Sequence, residues 1–193
     1  PDQADLVKTI HEASQSMLTI VNELLDVATI ESGELKLSLE RTDLGRIAEE
    51  CVAMLNIEAA KKGTQIRLHR VETPVVLVLD AAKIRQVVDN LVSNAVKFSP
   101  PGSTIDAYFA ADPAAGTCQF SVRDQGPGIP EGERDKLFKD FSRLSIKPTA
   151  GEKSTGLGLA ICRKIVDAHR GTITAENLPA GGCEFRFTLP SSS

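Results

Sequence analysis

Asn90, Asn94 and Lys97 stand four and three residues apart in the run Arg85-Gln-Val-Val-Asp-Asn-Leu-Val-Ser-Asn-Ala-Val-Lys97-Phe98. Helical spacing puts all three on one face and leaves Val87, Leu91 and Val92 to pack a core. An amide oxygen is a hard ligand suited to Mg²⁺ that also holds substrate phosphates, and the lysine adds a point charge for those phosphates. Alone, the run is equally compatible with a surface helix bearing two solvated asparagines. A second run, Asp124-Gln-Gly126-Pro-Gly128-Ile129, follows directly on a strand pattern. Its glycines let the backbone approach a flat ligand, and a carboxylate at a strand end can accept a hydrogen bond from an exocyclic amine such as that of adenine. A tight turn led by an aspartate is the alternative. In Leu137-Phe138-Lys-Asp-Phe141-Ser-Arg143, two aromatics can anchor a mobile stretch while Arg143 points toward phosphate, or they are two core phenylalanines beside a solvated arginine. The fourth run, Ser154-Thr155-Gly156-Leu157-Gly158-Leu-Ala-Ile161, is a glycine-rich entry into an amphipathic helix. Free backbone N–H groups and the helix dipole make such an entry a phosphate site. It matches neither GxxxxGKS/T nor a strand-led GxGxxG, so neither a P-loop nor a Rossmann reading is supported.

The elements that must position these runs follow from periodicity. Leu6, Ile10, Ala13, Met17, Ile20, Leu24 and Val27 alternate steps of four and three, as the seam of one long helix does. A second stripe at Leu18, Val21, Leu25 and Ala28 suits a helical bundle, with an amphipathic helix folded back on its own domain as the alternative. Gly33 supplies the stop. Leu35, Leu37 and Leu39 alternate as a short strand or extended connector over 31–41, and Asp43 caps a helix over 44–61. Strands are predicted over 66–69, 75–79, 104–111, 118–123, 172–176 and 184–189. Asp80 caps a helix over 81–97, and a last helix spans 156–169. The polar stretch 124–155 holds only a short helix around 131–138 and is far longer than an ordinary connection, as functional lids are. A mixed sheet covered on one face by helices is the economical packing of this order.

Composition bounds the function. With 193 residues, 41% of them hydrophobic, the chain suffices for one domain and an appendage. A net charge of −4 without a basic cluster argues against nucleic acid, and 4% aromatics without tryptophan argues against a base-stacking platform. Cys51, Cys118, Cys162 and Cys183 are far apart, so they read as reduced, mostly buried residues of a cytoplasmic protein. No apolar run reaches the roughly 20 residues of a membrane span, and no signal pattern opens the chain, so a soluble fragment without direct membrane contact is expected, whatever anchors its parent.

Taken together, in order and spacing, the four runs resemble the N, G1, F and G2 boxes of the sensor histidine kinases, within the ATPase superfamily shared with gyrase, Hsp90 and MutL. The resemblance covers about 35–190, including Gly181-Gly182-Cys183-Glu184-Phe185-Arg-Phe-Thr-Leu-Pro190, and Glu23-Leu-Leu-Asp-Val-Ala-Thr-Ile-Glu-Ser-Gly33 is similar to the end of the second dimerisation helix. It implies an α+β fold of the Bergerat type, a two-layer α/β sandwich whose mixed, mostly antiparallel sheet is covered on one face by helices, preceded by the long helix. Residues 1–33 would close a dimerisation hairpin and 34–193 form the catalytic ATP-binding domain, with a lid over about 139–155.

By the same resemblance Asn94 holds Mg²⁺, while Asn90 and Lys97 lie against the phosphates of ATP and Phe98 packs near the nucleotide. Asp124 receives the adenine amine, Gly126, Gly128 and Ile129 border base and sugar, and Arg143 reaches the triphosphate. Thr155, Gly156, Leu157 and Gly158 cradle phosphates, and Lys147 and Lys153 are further lid cations. Asn90, Lys97 and Arg143 form the catalytic set of a protein histidine kinase. Its implied partners are a response regulator receiver domain, its own dimerisation domain with the acceptor histidine, and a second copy in a homodimer. His11 is followed by Glu12, but Ser16 stands where the family's acceptor motif has proline, so the acceptor is expected outside this chain and His11 reads as a solvated helix residue. The alternatives are a hydrolysing ATPase of the gyrase or Hsp90 kind and a non-catalytic nucleotide scaffold. In hydrolysing relatives a general-base glutamate precedes the metal-binding asparagine by four residues; Asn90 stands there and cannot take a proton from water. An anti-sigma type of serine kinase would not need the N-terminal helix.

Overall fold

The computed structural model describes residues 3–31, 36–69, 74–149 and 155–191; Gly33, Leu35, Lys153 and Ser154 lie outside them. Two compact units divide between Lys36 and Leu37. The first contains α1 (Gln3–Glu31). Leu6, Ile10, Met17, Ile20 and Leu24 of the seam, with Leu18, Val21 and Leu25 of the second stripe, are all at least 42% exposed.

In the second unit Asp43 ends β1 (Glu40–Asp43) and caps α2 (Leu44–Lys61), its Oδ1 accepting the Gly45 N–H at 3.0 Å. The same device starts α3 (Ala81–Phe98), where Asp80 accepts from the N–H of Lys83 at 3.0 Å and of Ser38 at 2.9 Å. Each such cap is worth about 1 kcal/mol. The strands β2 (Gln65–His69), β4 (Thr104–Asp112), β5 (Thr117–Arg123), β7 (Cys183–Pro190) and β6 (Thr172–Asn177) lie side by side in that order. Only the β2–β4 pair is parallel; the other three pairings are antiparallel. The 75–79 strand appears as β3 (Val76–Leu79), which pairs with β1 in a separate two-stranded sheet rather than joining the five.

Register explains the layers. Ala107 stands opposite Val122, Phe109 opposite Phe120, and Phe120 opposite Phe187, so one face of the sheet is apolar. Against it lie Ile47 and Cys51 of α2, Val87 and Leu91 of α3, and Ile161 and Ile165 of α4 (Gly158–Ala168), all buried. The four cysteines are free and buried, and burial pushes the Cys51 and Cys118 thiols up to about 12. His169 is buried behind α4; its Nε2 accepts the Asp80 N–H at 3.0 Å, which leaves Nδ1 to donate to Ile165 O at 2.8 Å. The ring fastens the end of α4 to the start of α3.

The opposite face carries charge. Glu184, 2% exposed, accepts from Ser121 Oγ and Arg123 Nε, each at 2.9 Å, and from Arg186 Nη2. Burial alone would raise its pKa; hydrogen bonds from Arg123 and Ser121 and the charges of Arg186 and Arg123 outweigh that and hold it below its ordinary 4.5. A depressed folded-state pKa gives stability that is present above the unfolded value and is lost as pH falls through the folded one. Chemical denaturation from pH 7 downward is therefore expected to show stability falling below about pH 4.5, less steeply in Glu184→Gln.

Two predicted boundaries move for local reasons. The short helix expected over 131–138 is a 3₁₀ turn at Arg134–Lys136; Gly132 before it has φ +78°, and the Glu133 carboxylate turns to Ser145 N–H instead of capping. The last helix starts at Gly158 instead of 156, because Gly156 has φ +81° and cannot be helical.

Candidate functional site

The half-buried C-terminal half of α3 carries Asn90, Asn94, Lys97 and Phe98, and the second and fourth runs meet it. Gly158, at the start of α4, lies so close that a Cβ there would stand 2.8 Å from Asn90 Oδ1. A Cβ on Gly126 would lie 2.9 Å from the Phe98 carbonyl oxygen and 3.1 Å from Asp124 Oδ1. From the stretch after Arg143, Thr149 donates its N–H and Oγ1 to Lys97 O, both at 3.0 Å, and Oγ1 reaches Ser99 O at 2.7 Å. Lys62 Nζ meets the same helix end, 2.7 Å from Val96 O and 3.1 Å from Lys97 O, where a cation suits the negative end of the dipole.

Gly156 requires its positive φ, and a Cβ there would meet Ser142 O at 2.7 Å and Arg143 Cγ at 3.2 Å. Arg143 thus lies against the glycine loop. Asp140 pairs with Lys164 of α4 at 2.9 Å, and Arg163 sits over the Phe138 ring at 5.9 Å. Thr155 Oγ1 accepts the Leu157 N–H at 3.3 Å, and Leu157, 2% exposed, is the N-cap of α4 without a side-chain cap bond. The first amides of α4 are consequently left to an anion.

Asp124 directly follows β5 and is 4% exposed. Among the described ion pairs no cation meets its carboxylate. Oδ1 accepts the N–H of Gly126 at 2.8 Å and of Cys183 at 3.2 Å, and Oδ2 accepts the Cys183 thiol at 2.9 Å. Gly182, φ +81°, passes so near that a Cβ would lie 2.0 Å from Asp124 O. Ile129 is held by Asn177, whose Oδ1 accepts its N–H at 2.6 Å and whose Nδ2 donates to its carbonyl at 2.9 Å. It faces a cavity of about 550 Å³ shared with Glu131, Gly132, Arg134, Asp135 and Asn177, none of them on α3. Gly128 shares this placement, since a Cβ there would stand 2.9 Å from Asn177 Oδ1, so Ile129 and Gly128 contact residues away from that helix. The sequence reading assigned no role to Thr149, Asn177 or Cys183; only Cys183 carried a signal, as part of the closing Gly-Gly-Cys-Glu run.

The donors fit a nucleotide with its metal. Glycines let separate segments pack against one another, a buried acceptor stands just past a strand end, and Arg143 lies beside the glycine entry to a helix. Among the described residues no cluster of three His, Cys, Asp or Glu side chains exists to cage an ion. A divalent cation on an asparagine amide oxygen would complete its shell with phosphate oxygens and water, as Mg²⁺ does.

The chain is 33% identical over 180 residues to "Hybrid signal transduction histidine kinase D" of Dictyostelium discoideum, covering 92% of this chain and 12% of the relative. It is 37% identical over 174 residues to "Sensor protein KdpD" of Escherichia coli (strain K12), covering 90% and 19%. The chain thus spans at most about a fifth of the length of these two relatives. The crystal structure of full-length ShkA in complex with AMPPNP superposes with a TM-score of 0.82 at 27% identity, over 98% of this chain and 39% of that one. Residues 79–193 match the family model "Histidine kinase-, DNA gyrase B-, and HSP90-like ATPase", and the chain belongs to that family.

Proposed function

We propose that residues 34–193 are the ATP-binding kinase domain of a two-component sensor histidine kinase and that residues 1–33 end its dimerisation hairpin. The observation that carries the reading is the convergence of three separate chain segments on the C-terminal half of α3. Asn94 holds Mg²⁺; Asn90 and Lys97 bind phosphate oxygens; Arg143, from the lid over about 139–155, reaches them from the other side. Thr155, Gly156, Leu157 and Gly158 present amides to the phosphates, Asp124 accepts from the adenine amine, and Gly126, Gly128, Ile129 and Phe98 border base and sugar. Bound Mg²⁺·ATP supplies the γ-phosphoryl group. The chain's part is positioning and charge neutralisation, the main sources of catalysis in such transfers.

The acceptor is a histidine of a dimerisation domain, the next recipient an aspartate of a response regulator, and the working assembly a cytoplasmic homodimer. The exposed apolar seam of α1 supports the last point. Among the described residues no helix is long and apolar enough to cross a membrane. Asn90 disfavours hydrolysis, since an amide cannot serve as general base toward water.

The test is to mix the chain with a separately produced dimerisation domain carrying its histidine and with radioactive ATP. Acid-labile phosphate should appear on the added histidine and be absent from His11. Phosphate release without labelling would favour the hydrolysing ATPase, nucleotide binding with neither would favour the scaffold, and label on His11 would move the acceptor into this chain.

A further inference from the structure

Cys183 opens β7, is buried, and is tied to Asp124 by three contacts. The Asp124 N–H donates to Cys183 O at 3.0 Å, the Cys183 N–H returns to Oδ1 at 3.2 Å, and the thiol donates to Oδ2 at 2.9 Å. A carboxylate at a strand end rotates about its side-chain bonds unless both oxygens are held. Here Gly126 and Cys183 amides hold Oδ1, and the thiol is the donor that holds Oδ2. A carboxylate oxygen has two lone pairs and a thiol one proton, so Oδ2 keeps an accepting position.

We infer that Cys183 is a specificity-determining positioning residue, whose thiol fixes the rotamer of Asp124 so that the remaining Oδ2 lone pair meets the exocyclic amine of adenine. This rests on the reading of Asp124 as the base acceptor. A thiolate here would set two negative charges 2.9 Å apart in a buried place; burial and the Asp124 charge push the thiol's pKa up, so the S–H is present at neutral pH. Serine in its place keeps a hydroxyl donor on the same Cβ. Alanine removes the donor, and valine removes it while filling the space.

The experiment is calorimetry on the full chain with Mg²⁺, comparing ATP with purine riboside triphosphate, which lacks only the 6-amino group. The wild type should prefer ATP. Cys183→Ala and Cys183→Val should each lower that preference about three- to tenfold by weakening ATP alone, while Cys183→Ser retains it. A merely structural role would weaken both nucleotides alike. If the wild type prefers ATP and both donor-less variants prefer it equally, the inference is overturned while the role of Asp124 stands. If the wild type binds the two nucleotides equally well, the base-reading role of Asp124 fails and takes the inference with it. Thermal melts show which variants fold, and either of the two donor-less variants suffices for the comparison.

Discussion

Asp124→Asn should lower the affinity for Mg²⁺·ATP by roughly 100-fold, because a charge-assisted acceptor is lost and one of the two positions turns into a donor. The volume is unchanged, so the fold survives. The carboxylate already collects two backbone N–H groups and a thiol. An asparagine that turns its oxygen to the amides must point its NH₂ toward the Cys183 sulfur and the base amine, donor against donor. Calorimetry with ATP checks this, and an affinity within threefold of the wild type would remove Asp124 from the site.

Gly182→Ala should be the most destabilising of the single substitutions considered, by about 3 kcal/mol or more. Its φ of +81° is strained for any side chain, and its Cβ would stand 2.0 Å from Asp124 O, a backbone atom that cannot turn away. The β5–β7 junction must open to admit the methyl group. Urea denaturation followed by circular dichroism should show an early midpoint, with a melting temperature lower by roughly 6–12 °C. Gly181→Ala serves as the control: its φ of +96° is also strained, but its Cβ would meet nothing within 4 Å, so its smaller loss measures the backbone contribution alone. Equal losses in the two variants would show that the close approach to Asp124 carries no weight.

What the residues disclosed depended on how local the cause was. Asp43 and Asp80 are caps whose bonds reach two and three residues along the chain, so both helix starts are legible. The helical step likewise puts Asn90, Asn94 and Lys97 on one side of α3 and Val87 and Leu91 on the other. Partnership across the chain was not legible. Cys183 meets Asp124 across 59 residues and Asn177 meets Ile129 across 48, and neither residue type announces such a contact. The same holds for β3, whose alternation reads as a strand but cannot say that β1 is its neighbour. The start of α4 was misplaced by two residues because the left-handed turn at Gly156 is imposed by the backbone of Ser142 and Phe141, which pass beside it.

The convergence on α3 has a consequence for the life of the protein in a cell. Segments that lie more than 60 residues apart in sequence meet at one helix, so a ligand held among them acts as a keystone that the unfolded chain cannot hold. At a hundredfold excess over its dissociation constant, a ligand of the native state alone adds about 2.7 kcal/mol to stability. The survival of the protein against heat and proteases is thereby geared to cellular energy charge, and depletion of adenylate would expose it to turnover before any signal reached it.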